Sequence, residues 1–464
     1  MSRWLYLPIE VKSREFESKV LLACFAACEG FNIVVGRKGT VNDLLKIMPH
    51  GVYIAKGIPR SGLNAMKARK KMGHKYTVLD EEAGISRIKY DEFLKIRTSP
   101  DTMKELDAYF AWGKNNADSL KKLYPGMTHK IFVTGGPRVD LWRKELRGYY
   151  KEGVEEIRNK YGRYILVASN FTSNHPEGLE FLVRLWREIG IIASDEEEKY
   201  FRDMYNYKDQ LFQKFVEAIP EILKAFPEQL IIVRPHPVED LTVWKNRFKG
   251  LERVKVVREG SVTKWIIGAD LIIQNGCTTG VEATVMGKPV ISYRPIRNEK
   301  YDDGLPNMLG AVASNVESLV SLIYRVLHGE PLCEDNGKKI LEYNISSLDG
   351  DYAAEVIVKC IKDMVDDNTK AWSKYNPSYA SYIVMAKVKH YFKMIMSKYP
   401  NLSGLLVSKT KLSSICGQDM GAQKCPPIEL MEVEEIRKRL SFIFKEFSGL
   451  QVSELTPSVF QFKM

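Results

Sequence analysis

The sequence predicts an α/β protein of two doubly wound, parallel-sheet domains followed by a mostly helical, basic C-terminal extension. Three observations carry this. The chain has 464 residues and is 45% hydrophobic, more than one core usually organises. Short apolar runs alternate with helical patterns twice over, the mark of parallel sheets covered by helices on both faces. Beyond Asp367 the composition changes. The predicted limits are 1–145 for the first domain, 146–163 for a charged linker, 164–366 for the second domain and 367–464 for the extension.

In the first domain, residues 4–7, 33–35, 52–55, 76–79, 108–111 and 131–133 read as strands, and 15–28, 42–47, 63–71 and 116–123 as helices between them. The fourth strand runs into Asp80-Glu81-Glu82-Ala83-Gly84. Adjacent carboxylates repel, so one can hold its proton more tightly and serve as a general base toward a hydroxyl; a solvated acidic turn is the plainer alternative. Gly135-Gly136-Pro137-Arg138 closes the sixth strand, with Gly136 and Arg138 as candidate substrate contacts.

In the second domain the strand at 164–168 ends in Ser169-Asn170, and the apolar run 231–233 ends in Arg234-Pro235-His236-Pro237. Two prolines around one residue fix φ and exclude helix, so His236 sits on a rigid bend. There its ring can donate to a phosphate oxygen or simply cap a turn. A further run, 270–275, ends at Asn275 before Gly276-Cys277-Thr278-Thr279-Gly280. Thr279 and Glu282 have capping-box spacing, which predicts a helix from there to Gly287. Such a helix start offers N–H groups and a positive dipole end to an anion. Thr278, Thr279 and Gly280 are therefore phosphate candidates, and Glu282 either caps or meets a ribose. Ser169, Asn170 and Ser261 stand at turns where they can touch base or ribose, or serve the turn alone.

Residues 370–414 carry eight lysines and no Asp or Glu. Within them 379–398 reads as a basic helix with an apolar face, suited to an anionic membrane surface or to packing across the domains. Another helix is predicted at 432–447.

The 69 Lys+Arg against 58 Asp+Glu give +11, which suits an anionic substrate, an acidic membrane or nucleic acid. No nucleic-acid recognition module is visible, so that partner is not expected. Seven scattered cysteines without CxxC spacing read as reduced thiols. With neither a secretory signal nor an apolar run of spanning length in the sequence, the expected location is cytoplasmic, with the extension giving peripheral attachment at the inner face of the membrane. The absence of Walker, GxGxxG, HExxH and zinc-like patterns argues against a kinase, a simple dehydrogenase and a metallohydrolase, and neither metal nor cofactor is expected.

Leu7-Pro8-Ile9-Glu10-Val11-Lys12-Ser13-Arg14-Glu15-Phe16, Asp80-Glu81-Glu82, Arg234-Pro235-His236-Pro237 and the stretch from Gln274 through Gly280 to Gly287-Lys288-Pro289-Val290 resemble a known group. It is the GT-B glycosyltransferases of bacterial surface polysaccharide synthesis, called surface carbohydrate biosynthesis proteins. The likeness spans residues 4–365 and extends to bacterial sialyltransferases and capsule Kdo transferases, which pair a D/E-D/E-G motif with an HP motif. It implies two Rossmann-like domains facing a central cleft, an acceptor in the first and a nucleotide-sugar donor in the second. Glu81 or Glu82 would be the base, Asp80 a substrate contact and His236-Pro237 the CMP phosphate site. Ala83 separates the acidic pair from Gly84, which leaves both glutamates open. The implied reaction moves an acidic ulosonate from a CMP-linked donor to a glycan or lipid-linked acceptor. Alternatives are a CDP-glycerol or polyol-phosphate transferase, a UDP-sugar 2-epimerase, and a non-catalytic membrane-associated nucleotide-binding scaffold.

Overall fold

The computed structural model describes residues 3–81, 83, 90–188, 191–302, 304–332, 335–365, 381, 384–385, 388 and 425–464. Glu82, Gly84 and nearly all of the expected basic helix at 379–398 lie outside these. Of the latter, Ser381, Val384, Met385 and Val388 are described, helical and exposed. The chain forms two units: one from Met1–Glu81, Tyr90–Leu141 and Ser346–Met464, the other built on Trp142–Ile345.

The first unit's strands are β1 (Arg3–Ile9), β2 (Phe31–Arg37), β3 (Val52–Ala55), β4 (Lys75–Leu79), β5 (Ala108–Ala111) and β6 (Ile131–Val133). They lie in the order β2-β1-β3-β4-β5-β6, all parallel. β3 and β5 are buried along their whole length, because helices cover both faces. The strand order reverses between β1 and β3, and beyond the carboxyl ends of strands at such a point a doubly wound sheet leaves room for a ligand. Helix Lys12–Cys28 follows β1 and is buried from Val20 to Ala27. The expected helix at 42–47 lies instead at Lys38–Leu44, starting as soon as β2 ends.

The second unit's strands are β7 (Tyr164–Ala168), β8 (Leu230–Arg234), β9 (Val254–Val256), β10 (Leu271–Gln274), β11 (Val290–Tyr293) and β12 (Ala311–Ala313). Their order is β12-β11-β10-β7-β8-β9, again all parallel, with the reversal between β7 and β10. Helix Asp195–Ala225 starts at a Ser194/Glu197 capping box. Its Leu211, Phe212, Phe215, Ile219 and Ile222 join Ile231, Ile273 and Trp244 in the core. The charged stretch expected as a linker holds helix Lys151–Tyr161, which belongs to this unit; Arg158 reaches Asp270 at 3.3 Å.

Helix Ala353–Met364 follows the second alternation in sequence but belongs to the first unit. Asp140, fully buried, accepts from the amides of Ala353 and Ala354 at 2.8 and 2.9 Å and so caps it. The C-terminal residues add helix Leu430–Ser441 and a hairpin, β13 (Gln451–Thr456) and β14 (Val459–Lys463), which pairs antiparallel with β2. The sequence reading anticipated the helix and not the hairpin. Among the described residues no helix is long and apolar enough to cross a membrane.

Candidate functional site

Each sheet gathers its candidate residues beyond the carboxyl ends of its strands. In the second unit the chain leaves β8 at Arg234 and turns at once, the amide of Glu239 donating to the His236 carbonyl at 2.9 Å. The Glu239 side chain, only 2% exposed, holds the turn from inside. Its Oε1 accepts from the His236 amide (3.2 Å), the Phe171 amide (3.0 Å) and Ser169 Oγ (2.7 Å), and its Oε2 from Trp244 Nε1 (2.8 Å) and Asn174 Nδ2 (3.4 Å). Five donors on one carboxylate lock the loop after β7 to the loop after β8. Arg258 clamps the same turn by donating to the carbonyls of Pro237 and Glu239.

His236 is half-buried in this frame. Its Nδ1 accepts from the Val238 amide at 3.3 Å, so in the neutral ring the proton resides on Nε2. Across the reversal, Asn170 Nδ2 donates to the Gly276 carbonyl at 2.9 Å and ties the loop after β7 to the start of helix Thr278–Val285. Gly276 has φ 60° and allows the chain to turn there.

That helix differs from the expected one. It begins at Thr278 with Cys277 at the N-cap, and the Cys277 amide is met by Gln274 Oε1 at 2.9 Å, so the Thr279/Glu282 capping box does not form. Buried Glu282 instead accepts from Thr263 Oγ1, which itself accepts from Ser261 Oγ at 3.2 Å. Ser261 also caps helix Val262–Gly268.

Several other expected nucleotide contacts are engaged within the fold. Arg234 donates to the carbonyls of Glu259 and Gly260, each at 2.9 Å, and lies over Trp265; burial pushes its pKa down to about 10. It thus positions the Ser261 loop. Asn275 is buried and donates to the Tyr293 carbonyl at 2.8 Å. Gly280 is needed for packing: a Cβ there would meet Gln274 Cγ and Cδ at 2.9 Å. Pro237 is exposed at the crest of the turn. Of the predicted nucleotide contacts the His236 ring and Thr278 are half-buried, while Asn170 is tied to Gly276 and Thr279 is buried.

In the first unit, Glu15 stands in the first turn of helix Lys12–Cys28, beyond β1. It is fully buried and accepts from the amides of Glu10 and Val11, each at 3.1 Å, and from Lys19 Nζ at 3.0 Å. Lys56, just after β3, has its Nζ 3.7 Å from Glu15 Oε1. Burial opposes ionisation of Glu15, but Lys19, Lys56 and the amides outweigh it and hold its pKa below the usual value. Lys19 also donates to the Pro8 carbonyl.

Glu81 lies two residues past β4 and is 5% exposed. Burial pushes its pKa up to about 7; Lys19, Arg138 and Lys56 oppose the rise and Glu15 adds to it. Asp80 forms a two-point ion pair with Arg97, at 2.9 Å to Nε and 2.5 Å to Nη2. Of the predicted residues here, Glu81 follows β4 and Arg138 lies on helix Pro137–Asp140, which follows β6. Gly136 serves packing, since a Cβ would meet the Trp112 ring at 2.8 Å. Glu15, Lys19, Lys56 and Glu239 were missed by sequence reasoning. A glutamate and a lysine four residues apart, just before the apolar run Val20–Ala27, were the available signal for the first two.

No protein-family model matches the chain, and the search of curated proteins finds no match. Among solved structures it is similar to the UDP-GlcNAc 2-epimerase of Methanocaldococcus jannaschii in complex with UDP-GlcNAc and UDP, at 18% identity over 78% of this chain and 100% of that one, TM-score 0.44. It is similar to S. aureus MnaA with UDP at 15% identity over 81% and 99%, TM-score 0.46. The wall teichoic acid polymerase TagF with CDPG follows at 11% identity over 78% and 88%, TM-score 0.49. The chain's own strand orders define it as an α/β protein of two doubly wound sheets, each with six parallel strands, the first extended by an antiparallel hairpin.

Proposed function

We propose that the protein is a glycosyltransferase of GT-B type that moves a sugar from a CMP-linked donor to a surface-glycan acceptor. The observation that carries this reading is the Glu239 network, which fixes the His236 turn beside the Asn170 loop, itself bonded to the head of helix Thr278–Val285. In the second unit, the Nε2–H of His236 and the amides opening that helix meet the phosphate of the departing nucleotide. In the first, Glu81 takes the proton of an acceptor hydroxyl as its oxygen attacks the anomeric carbon; the bond from that carbon to the phosphate oxygen breaks, and CMP leaves with the electron pair. An acidic ulosonate such as Kdo or a sialic-acid-like sugar follows from the resemblance noted in the sequence. Charge stabilisation by amides and histidine requires no metal ion. The exposed apolar side chains of Val384, Met385 and Val388, set in the lysine-rich stretch, suit a peripheral site at the inner face of the membrane, where a lipid-linked acceptor would reside.

Calorimetry with CMP, CDP and UDP in the presence of EDTA tests the donor half. CMP is expected to bind best, and His236→Ala to weaken it by about tenfold or more, the worth of one charge-assisted hydrogen bond. Equal binding by wild type and variant, or no nucleotide binding at all, would overturn the assignment. Preference for CDP would favour polyol-phosphate transfer instead.

A further inference from the structure

The turn after β10 is held by the loops on both sides of it. In the sheet β10 lies between β11 and β7, and the loop beyond each of those strands sends an asparagine to the same glycine. Asn307, 3% exposed on helix Gly304–Met308 beyond β11, accepts from the Gly276 amide through Oδ1 at 2.8 Å. Asn170, beyond β7, donates from Nδ2 to the Gly276 carbonyl at 2.9 Å. Gln274, fully buried, accepts from the Cys277 amide at 2.9 Å and is anchored by donating to Ser292 Oγ at 2.7 Å and to the Pro306 carbonyl at 2.8 Å. Asn307 Nδ2 reaches Asn275 Oδ1 at 3.5 Å, and Asn275 Nδ2 in turn donates to the Tyr293 carbonyl.

The amides of Gly276, Cys277 and Gly280 are thus spent inside the fold, the last on the Cys277 carbonyl at 2.9 Å. The first amides of a helix have no acceptor within it, so the accessible donors left for an anion are at half-buried Thr278, Thr279 being buried. One capping side chain completes an ordinary helix start. Here Asn170, Gln274, Asn275 and Asn307 are all committed to a single turn.

We propose, resting on the glycosyl-transfer reading, that Asn170 and Asn307 are positioning residues for the donor phosphate: between them they fix Gly276, so that Thr278 meets the phosphate without rearrangement. Asn170 then acts on the phosphate through the turn, and not on base or ribose. Preorganisation of this kind lowers the cost of binding, and its loss falls on the group that the turn serves.

The test is calorimetry on the full chain with CMP and with cytidine, which lacks the phosphate. Asn170→Ala and Asn307→Ala are each expected to weaken CMP about tenfold and to change cytidine by less than about twofold. Because both act through one residue, the double variant should lose little more than the stronger single one. Equal losses for CMP and cytidine overturn the inference, since general disruption of the fold or a direct contact with base or ribose predicts them; unchanged affinities overturn it as well. Should Asn307→Ala fail to fold, as a circular-dichroism melt would reveal, or cytidine bind too weakly to measure, amide hydrogen exchange of the wild type decides. The Gly276 and Cys277 amides must be protected without ligand and the Thr278 amide only with CMP; protection of Gly276 that arises only with CMP sinks the proposal. If the wild type binds CMP while the variants lose both ligands alike, the transfer reading stands and the role of the two asparagines falls. A wild type that binds none of CMP, CDP and UDP removes both.

Discussion

The two sheets solve the same topological problem with opposite chemistry. Each reverses strand order once and assembles its polar residues beyond the carboxyl ends at the reversal. In the second unit a single buried carboxylate, Glu239, is satisfied by five neutral donors and acts as a fastener for two loops. In the first, Lys19, Lys56 and two amides hold the Glu15 pKa below its usual value, whereas burial pushes that of Glu81 up to about 7. Burial of a carboxylate therefore does not by itself announce function. A saturated acid rigidifies, and an undersatisfied one is available for proton transfer.

Breaking the first unit's arrangement should have the largest effect. Glu81→Gln is expected to lower turnover of a CMP-linked donor with acceptor by about 100- to 10,000-fold, the range of a lost general base, while calorimetric CMP affinity stays the same. A loss of less than tenfold would place the base elsewhere. The same variant sharpens the contrast through pH. Burial pushes the Glu81 pKa up to about 7, above the ordinary glutamate value of 4.5, so its stabilising contribution is full below the ordinary value and is lost as pH rises through 7. Urea midpoints of wild type and Glu81→Gln should diverge over that window in favour of the variant and run parallel above it.

The second unit should respond to loss of its fastener in stability first. Glu239→Ala leaves five donors without their acceptor, and a decrease of about 3 kcal/mol in unfolding free energy is expected from urea titration, along with weaker CMP binding. A smaller change, about 1–3 kcal/mol, is expected for Gly280→Ala, whose added methyl must displace Gln274. Unchanged stability there would mean that glycine serves the ligand and not the packing.

Much of the fold was legible because it depends on local pattern. The strands at 52–55, 108–111, 131–133 and 164–168 and the helix at 63–71 fall where apolar runs and helical spacing put them. The His236 bend was legible for the same reason, since prolines act on their own φ and their neighbour's. What escaped is long-range. Glu239 draws on Ser169 and Phe171, about seventy positions back, and Glu282 turned from a local cap to Thr263 because a tertiary partner outbid the capping box. The β13–β14 hairpin had a usable alternation in Val459-Phe460-Gln461-Phe462, but its pairing partner is β2 at the other end of the chain.

That last pairing orders events during synthesis. Trp142–Ile345 is one continuous stretch, so the second sheet can close as soon as it leaves the ribosome. The first cannot, because β2 keeps an open edge until β14 arrives to cover it. A nascent chain stalled before Gln451 would present the β2 edge to any other strand nearby, a hazard for self-association that pairing with β14 removes at β2.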